Sequence, residues 1–169
     1  MGNLVKKNFD RIQSRLRGHD RSISNFSSEV LNVEVTLTAT EIVGTSAGDL
    51  GHASGATLVA APGVGFALQF IQAVLIYDYA TAAYTGGGND TFIQNGASAI
   101  ALSTVIASAD MLGAAGDKIV QVMPLSASDQ ALTANTPLTI KSTTAWTQPG
   151  TAAGVLRCNV LYRSIATGL

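Results

Sequence analysis

Charge is what this chain most lacks. Only 12% of its 169 residues are Asp, Glu, Lys or Arg, against roughly a quarter in an ordinary globular domain. A lone copy would show water a bland surface of small residues, which suits contact with copies of itself or with a large partner. Composition therefore favours an obligate oligomer. Cysteine is nearly absent: Cys158 is the only one, which excludes an internal disulfide framework and a cysteine-based zinc site. Flanked by Leu156 and Val160, it reads as a small apolar side chain facing inward on a strand. Histidine is scarce too, with His19 near the N-terminus and His52 in a Gly-rich loop. Neither sits near a nucleophile-elbow motif, so no catalytic triad is expected. There is no apolar run of about 18 residues, the length that crosses a bilayer as a helix. The N-terminus also lacks the apolar segment of a signal peptide, so the expectation is a chain made in the cytoplasm that stays soluble until it binds something.

The remaining motifs carry no chemistry. Pro62-Gly63-Val64-Gly65 lacks the GxxxxGK[ST] pattern of a phosphate loop and reads as a turn entering a strand. Gly86-Gly87-Gly88-Asn89 reads as loop geometry that needs positive φ. Asp49, Asp78, Asp90 and His52 form no EF-hand or HxH pattern and read as caps and solvated acids. Asp78, between Tyr77 and Tyr79, is expected to hydrogen-bond a backbone or tyrosine partner. No catalytic, cofactor-binding or metal-binding residue is assigned, no cofactor is expected, and the chain is not expected to be an enzyme.

What is there divides at residue 28. Residues 1–28 hold six of the ten basic residues, Lys6, Lys7, Arg11, Arg15, Arg17 and Arg21, against Asp10 and Asp20, a net of +4. Residues 29–169 hold four basic and nine acidic residues, a net of −5. Val5, Phe9, Ile12 and Leu16 follow the i, i+4, i+7, i+11 spacing of one helical face. Gly18 is a plausible stop, and Arg15 and Arg17 sit in the last turn, where the helix dipole favours cations. A Ser-rich linker follows. So short a helix is marginal alone in water, which leaves several readings open. It docks on an acidic patch of a protein partner or bundles with sister helices; it is a solvated tail; it contacts nucleic acid; or it targets a membrane or organelle. Nucleic acid is not the expected partner, because Phe9 and Phe26 are the only stacking residues in the arm.

From residue 30 the period switches to two. Leu31, Val33, Val35, Leu37 and Ala39 alternate with Asn32, Glu34, Thr36 and Thr38, the pattern of a half-buried strand. The most apolar stretch is 58–80, LVAAPGVGFALQFIQAVLIYDYA. From Phe66 it reads as a long strand with Phe66, Leu68, Phe70, Val74 and Ile76 on one face. Ala67, Ile71, Ala73, Leu75, Tyr77 and Tyr79 lie on the other, so burial on both sides is expected. Further strands are expected at 91–94, 100–107, 119–123, 138–141 and 155–165; the Ala and Ser content of 100–107 leaves helix open there, and the body has no convincing helix. About eight strands separated by Gly-, Ser- and Asn-rich loops predict an all-β, jelly-roll-like sandwich at 29–169, preceded by a basic arm at 1–28 that forms a short amphipathic helix.

Four motifs then carry a resemblance: Val59-Ala60-Ala61-Pro62-Gly63-Val64-Gly65-Phe66, Tyr77-Asp78-Tyr79, Ala83-Tyr84-Thr85-Gly86-Gly87-Gly88-Asn89 and Leu161-Tyr162-Arg163. With them, most of 31–165 resembles a tailed-bacteriophage virion structural protein of the head decoration or cement type; the arm lies outside the resemblance. The resemblance implies a β-sandwich body, usually a homotrimer, on the exterior of the capsid, with the major capsid protein as partner and synthesis in the host cytoplasm. An extended N-terminal segment commonly binds the shell in such proteins. The expected contacts are then Val5, Phe9, Ile12 and Leu16 in a groove and Lys6, Arg11 and Arg15 on acidic capsid residues. The alternative is a head fibre or tail-associated adhesion module whose Tyr84 and Trp146 loops bind a host receptor or glycan. A cellular interaction module ranks behind it. A metal-binding jelly roll of the cupin type ranks last, since it needs a His/Glu cluster that two histidines do not supply.

Overall fold

The computed structural model describes residues 29–86, 88, 91–96, 100–125, 130, 133–148 and 154–167. The expected helix of the arm, with Val5, Lys6, Phe9, Arg11, Ile12, Arg15 and Leu16, lies outside the described residues. Most of the alternating segment forms β1 (Leu31–Leu37), whose burial alternates as its sequence does; Thr38 and Ala39, expected to continue the strand, instead cap and begin a helix. The chain continues through α1 (Ala39–Val43), β2 (Ala56–Val59), β3 (Phe66–Asp78), β4 (Thr85–Gly86) and β5 (Thr91–Asn95). It ends with β6 (Lys118–Val122), β7 (Leu138–Ser142), β8 (Trp146–Thr147) and β9 (Val155–Ala166). One sheet has the order β1-β9-β3-β6, a second the order β2-β7-β5, and β4 pairs with β8. Apart from the short β4 and β8, the named strands alternate between the two larger sheets along the chain. That wiring gives an all-β sandwich.

The pairing of β3 with β9 sets the core. Antiparallel register places Leu75 opposite Cys158, Ala73 opposite Val160 and Tyr77 opposite Leu156, all six fully buried. The register slips between Phe70 and Gln72, so Ile71 is an extra residue, a β-bulge that rotates the strand by one position. The expected burial of both faces of β3 is therefore corrected. Leu68 and Phe70 before the bulge join Ala73, Leu75 and Tyr77 after it on a single inward face. Val74 and Ile76, grouped by period with Phe70, turn outward and are only half-buried. The Phe70 carbonyl at the bulge accepts a hydrogen bond from Gln130 Nε2 at 2.8 Å. From the second sheet, Leu58, Ile93, Leu138 and Ile140 pack into the same apolar cluster.

Two expectations fail for local reasons. Segment 100–107 is no regular strand; it lies against β5 through isolated bridges at Ala101 and Ile106 and a few separate hydrogen bonds. The Ile93 N–H donates to Ser103 Oγ at 2.9 Å, so a side chain takes the place of a backbone carbonyl and interrupts the ladder. The body also contains a helix, α1. Thr38 caps it and Glu41 reaches back to the Thr38 N–H at 2.8 Å, a reciprocal capping box. The box satisfies donors that a helix end leaves open. Loop 44–55 returns to α1 through Leu50 N–H to the Glu41 carbonyl, 2.9 Å.

Core and cap should differ in weight. Leu75→Ala is expected to cost about 2–5 kcal/mol, through lost transfer energy and a cavity beneath the central strands. Thr38→Ala is expected to cost about 1 kcal/mol. Urea unfolding of the two variants measures both.

Candidate interaction surface

Tyr84 and Trp146, the loop aromatics expected to face a receptor, are instead 1% and 3% exposed. The Trp146 indole N–H donates to Ser142 Oγ at 2.8 Å. The Tyr84 hydroxyl donates to the Gly154 carbonyl at 2.6 Å. A Cβ on Gly154 would run into the Asp78 carbonyl and the Tyr77 ring, so only glycine lets the chain come close enough to receive Tyr84. Tyr77 packs against Tyr84 and Tyr79, each pair with ring centroids 6.2 Å apart. Burial pushes the Tyr84 phenol up from 10.0 to about 12, with the neighbouring Tyr77 adding to it. Burial, then Tyr79 and Asp117, raises Tyr77 as well. These aromatics build the core and are not free to bind.

Cys158 is buried, as its neighbours implied, and burial pushes its thiol up from 9.0 to about 12. A protonated thiol without an entry path is a poor nucleophile. His52 turns back on its own loop, with Nδ1 at 2.6 Å from Ser54 Oγ. Among the described residues no three His, Cys, Asp or Glu side chains gather as a metal site. No helix among them is long and apolar enough to cross a membrane. Among the described residues Asp78 does not make the expected hydrogen bond to a backbone or tyrosine partner; its exposed carboxylate lies 4.0 Å from Arg157. Asp117 is the acid that takes the nearby backbone, accepting the Tyr79 N–H at 2.9 Å.

What the fold does present is one edge of the four-stranded sheet. Eight large apolar side chains stand out as exposed among the described residues; Ile119, Met123 and Leu125 lie on or just past β6, and Ile100 and Val105 lie on segment 100–107, between that strand and β5. Ile119 is on β6; Met123 and Leu125 continue that strand and hydrogen-bond to Thr104 and Leu102 on segment 100–107. The alternation explains Ile119. Val120 and Val122 point to the core, so Ile119 and Gln121 must point away, and Ile119 is 75% exposed. Register then sets Ile119 opposite Ile76 and Ile76 opposite Arg157. The result is a cleft of about 340 Å³ with an Ile76–Ile119 floor and a rim of Asp78, Asp117, Lys118 and Arg157. β1 forms the opposite edge of the sheet, where the arm joins. The expected shell-binding residues of the arm lie outside the described residues, so this edge is a site that the sequence reading did not assign.

No protein-family model matches the chain, and no curated protein does. Among solved structures it is similar to a chain of the cyanophage Pam1 capsid asymmetric unit. Identity is 18% and the TM-score 0.43, over 80% of this chain and 83% of that one. At that level the likeness decides nothing about function.

The buried acids give a pH prediction. The unfolded chain releases the Cys158 proton near 9.0, the folded one near 12. The thiol's contribution to stability is therefore complete below pH 9 and is lost as pH rises towards 12. Tyr84 adds to the loss from about pH 10 upward. Thermal midpoints should fall across that window, and a thiol reagent at pH 8 should label Cys158 only after denaturant is added. Tyr84→Phe should cost about 1–3 kcal/mol at neutral pH, because it strands a buried carbonyl; urea unfolding checks it.

Proposed function

We propose that this chain is a virion structural protein, a capsid decoration or cement protein that binds the outer face of a phage head as an oligomer and stabilises it. The role is non-enzymatic; the partners are the major capsid protein and further copies of the chain, with neither membrane nor nucleic acid required. One observation carries the reading. A β-sandwich body of net charge −5 follows a +4 segment in the chain and exposes Ile119, Met123 and Leu125 at the β6 edge of its main sheet. Such a module has two separate means of contact: a tethered cationic, amphipathic segment and an apolar edge.

A cement protein acts by mass action. It binds the intact shell in preference to the broken one, and so stabilises the intact form by an amount that grows with affinity and copy number. Each contact can be weak. In this reading Val5, Phe9, Ile12 and Leu16 enter a groove of the shell while Lys6, Arg11 and Arg15 meet its acidic residues. The fibre or adhesion alternative has lost its named contacts, since Tyr84 and Trp146 are core residues.

The test is co-sedimentation with shells that lack the protein, comparing the full chain with a form starting at Ser28. Removal of residues 1–27 is expected to weaken shell binding by about tenfold or more, as loss of a linked contact does. The β-rich circular dichroism spectrum should not change. Equal binding by the two forms would refute the role of the arm.

A further inference from the structure

The edge cleft has a property that the proposed shell-binding role does not use. Its rim holds two acids, Asp78 and Asp117, and two bases, Lys118 and Arg157. The bases are two of only four in residues 29–169, a region of net charge −5. A negatively charged body thus has a locally neutral patch, with both signs arranged round an apolar floor. A surface that meets its own copy across a two-fold axis must be self-complementary, because the same residues appear on both sides. A patch of one sign repels its copy. This one does not.

We propose that this cleft binds a second copy of the chain in a two-fold contact centred on Ile119. Each Ile119 seats against Ile76 and Ile119 of the partner copy, removing from water the most exposed apolar side chain on β6. The acids of each rim then meet the bases of the other. Met123 lies further along the same edge and extends the apolar strip. Asp78 and Arg157 are 57% and 44% exposed and 4.0 Å apart within one chain, so both can turn to a partner without leaving a buried charge unpaired. The contact needs no shell and no arm, and it stands or falls independently of the cement role.

The test uses the full chain. Ile119→Cys, treated with a mild oxidant, should give a disulfide-linked dimer, because a two-fold axis beside Ile119 brings the two introduced thiols together. The native Cys158 is buried and does not compete. Val64→Cys, at a site 84% exposed in the turn before β3, should cross-link at least about tenfold more slowly, as a site outside the contact relies on chance encounter. Ile119→Arg should halve the mass measured by light scattering. Arg157→Glu should weaken self-association by about tenfold through like charges across the axis, and adding Asp78→Arg should restore it, since the swap rebuilds complementarity. That recovery cannot come from a misfolded variant. Equal cross-linking at positions 64 and 119, or an unchanged mass for Ile119→Arg, would overturn the proposal. A mass that changes only when residues 1–28 are deleted would do so as well, by making the arm the occupant.

Discussion

The antiparallel pairing of β3 with β9 is the interaction on which the rest of the molecule depends. Twelve pairs of residues face each other along it, and β1 and β6 attach only to its outer flanks. Its inward face contributes Leu75, Tyr77, Leu156, Cys158 and Val160 to the common core, all fully buried. Burying side chains of this size contributes about 1.5–3 kcal/mol each relative to exposure. The bulge at Ile71 belongs to this pairing. Were Ile71 paired in a regular ladder instead of bulged, Phe70 and Leu75 would lie on opposite faces, and half of the apolar strand would point to solvent.

The second sheet is held differently. Its strands bury Thr91, Gln94, Asn95, Thr139 and Ser142, and buried polar groups must be bonded or they cost stability. Ser142 is the meeting point: its hydroxyl lies 2.7 Å from Thr91 Oγ1 and accepts from the Trp146 indole. Its backbone N–H reaches the Leu50 carbonyl at 2.8 Å. One small residue on β7 thus ties together β5, the short β8 and the loop after α1. Position-specific hydrogen bonds thus add to the apolar packing of Leu58, Ile93, Leu138 and Ile140 in this sheet.

These two styles decide how much the sequence could disclose. β1, β6 and β9 were legible because one-sided burial writes a period of two into the residues. The faces of β3 were not, because a pattern of period two carries no mark of a one-residue bulge. α1 is too short for a helical period to appear; its only trace was Thr38 and Glu41 at capping-box spacing. Segment 100–107 has the composition of a strand, and what interrupts it is the hydroxyl of Ser103, a tertiary event. Tyr84 and Trp146 lie among polar loop residues and read as exposed, since their partners, Gly154 and Ser142, meet them only in the fold. Ile119 was readable as outward-facing from its alternation with Val120 and Val122. That Asp78, Asp117 and Arg157 would ring it followed only from the registers of β3 with β6 and β9.

The strand order also governs how the protein can be made. β3 leaves the ribosome long before the strand that must lie beside it, since 76 residues separate Asp78 from Val155. At roughly 5–20 residues per second, that interval lasts about 4–15 s. Throughout it the most apolar strand of the chain has no partner on its β9 side, and β1 has no sheet to join. Closure of the larger sheet therefore waits for β9, and folding is a late event in synthesis. In a crowded assembly line of identical chains, this waiting strand is the point at which one nascent molecule is exposed to mispairing with another.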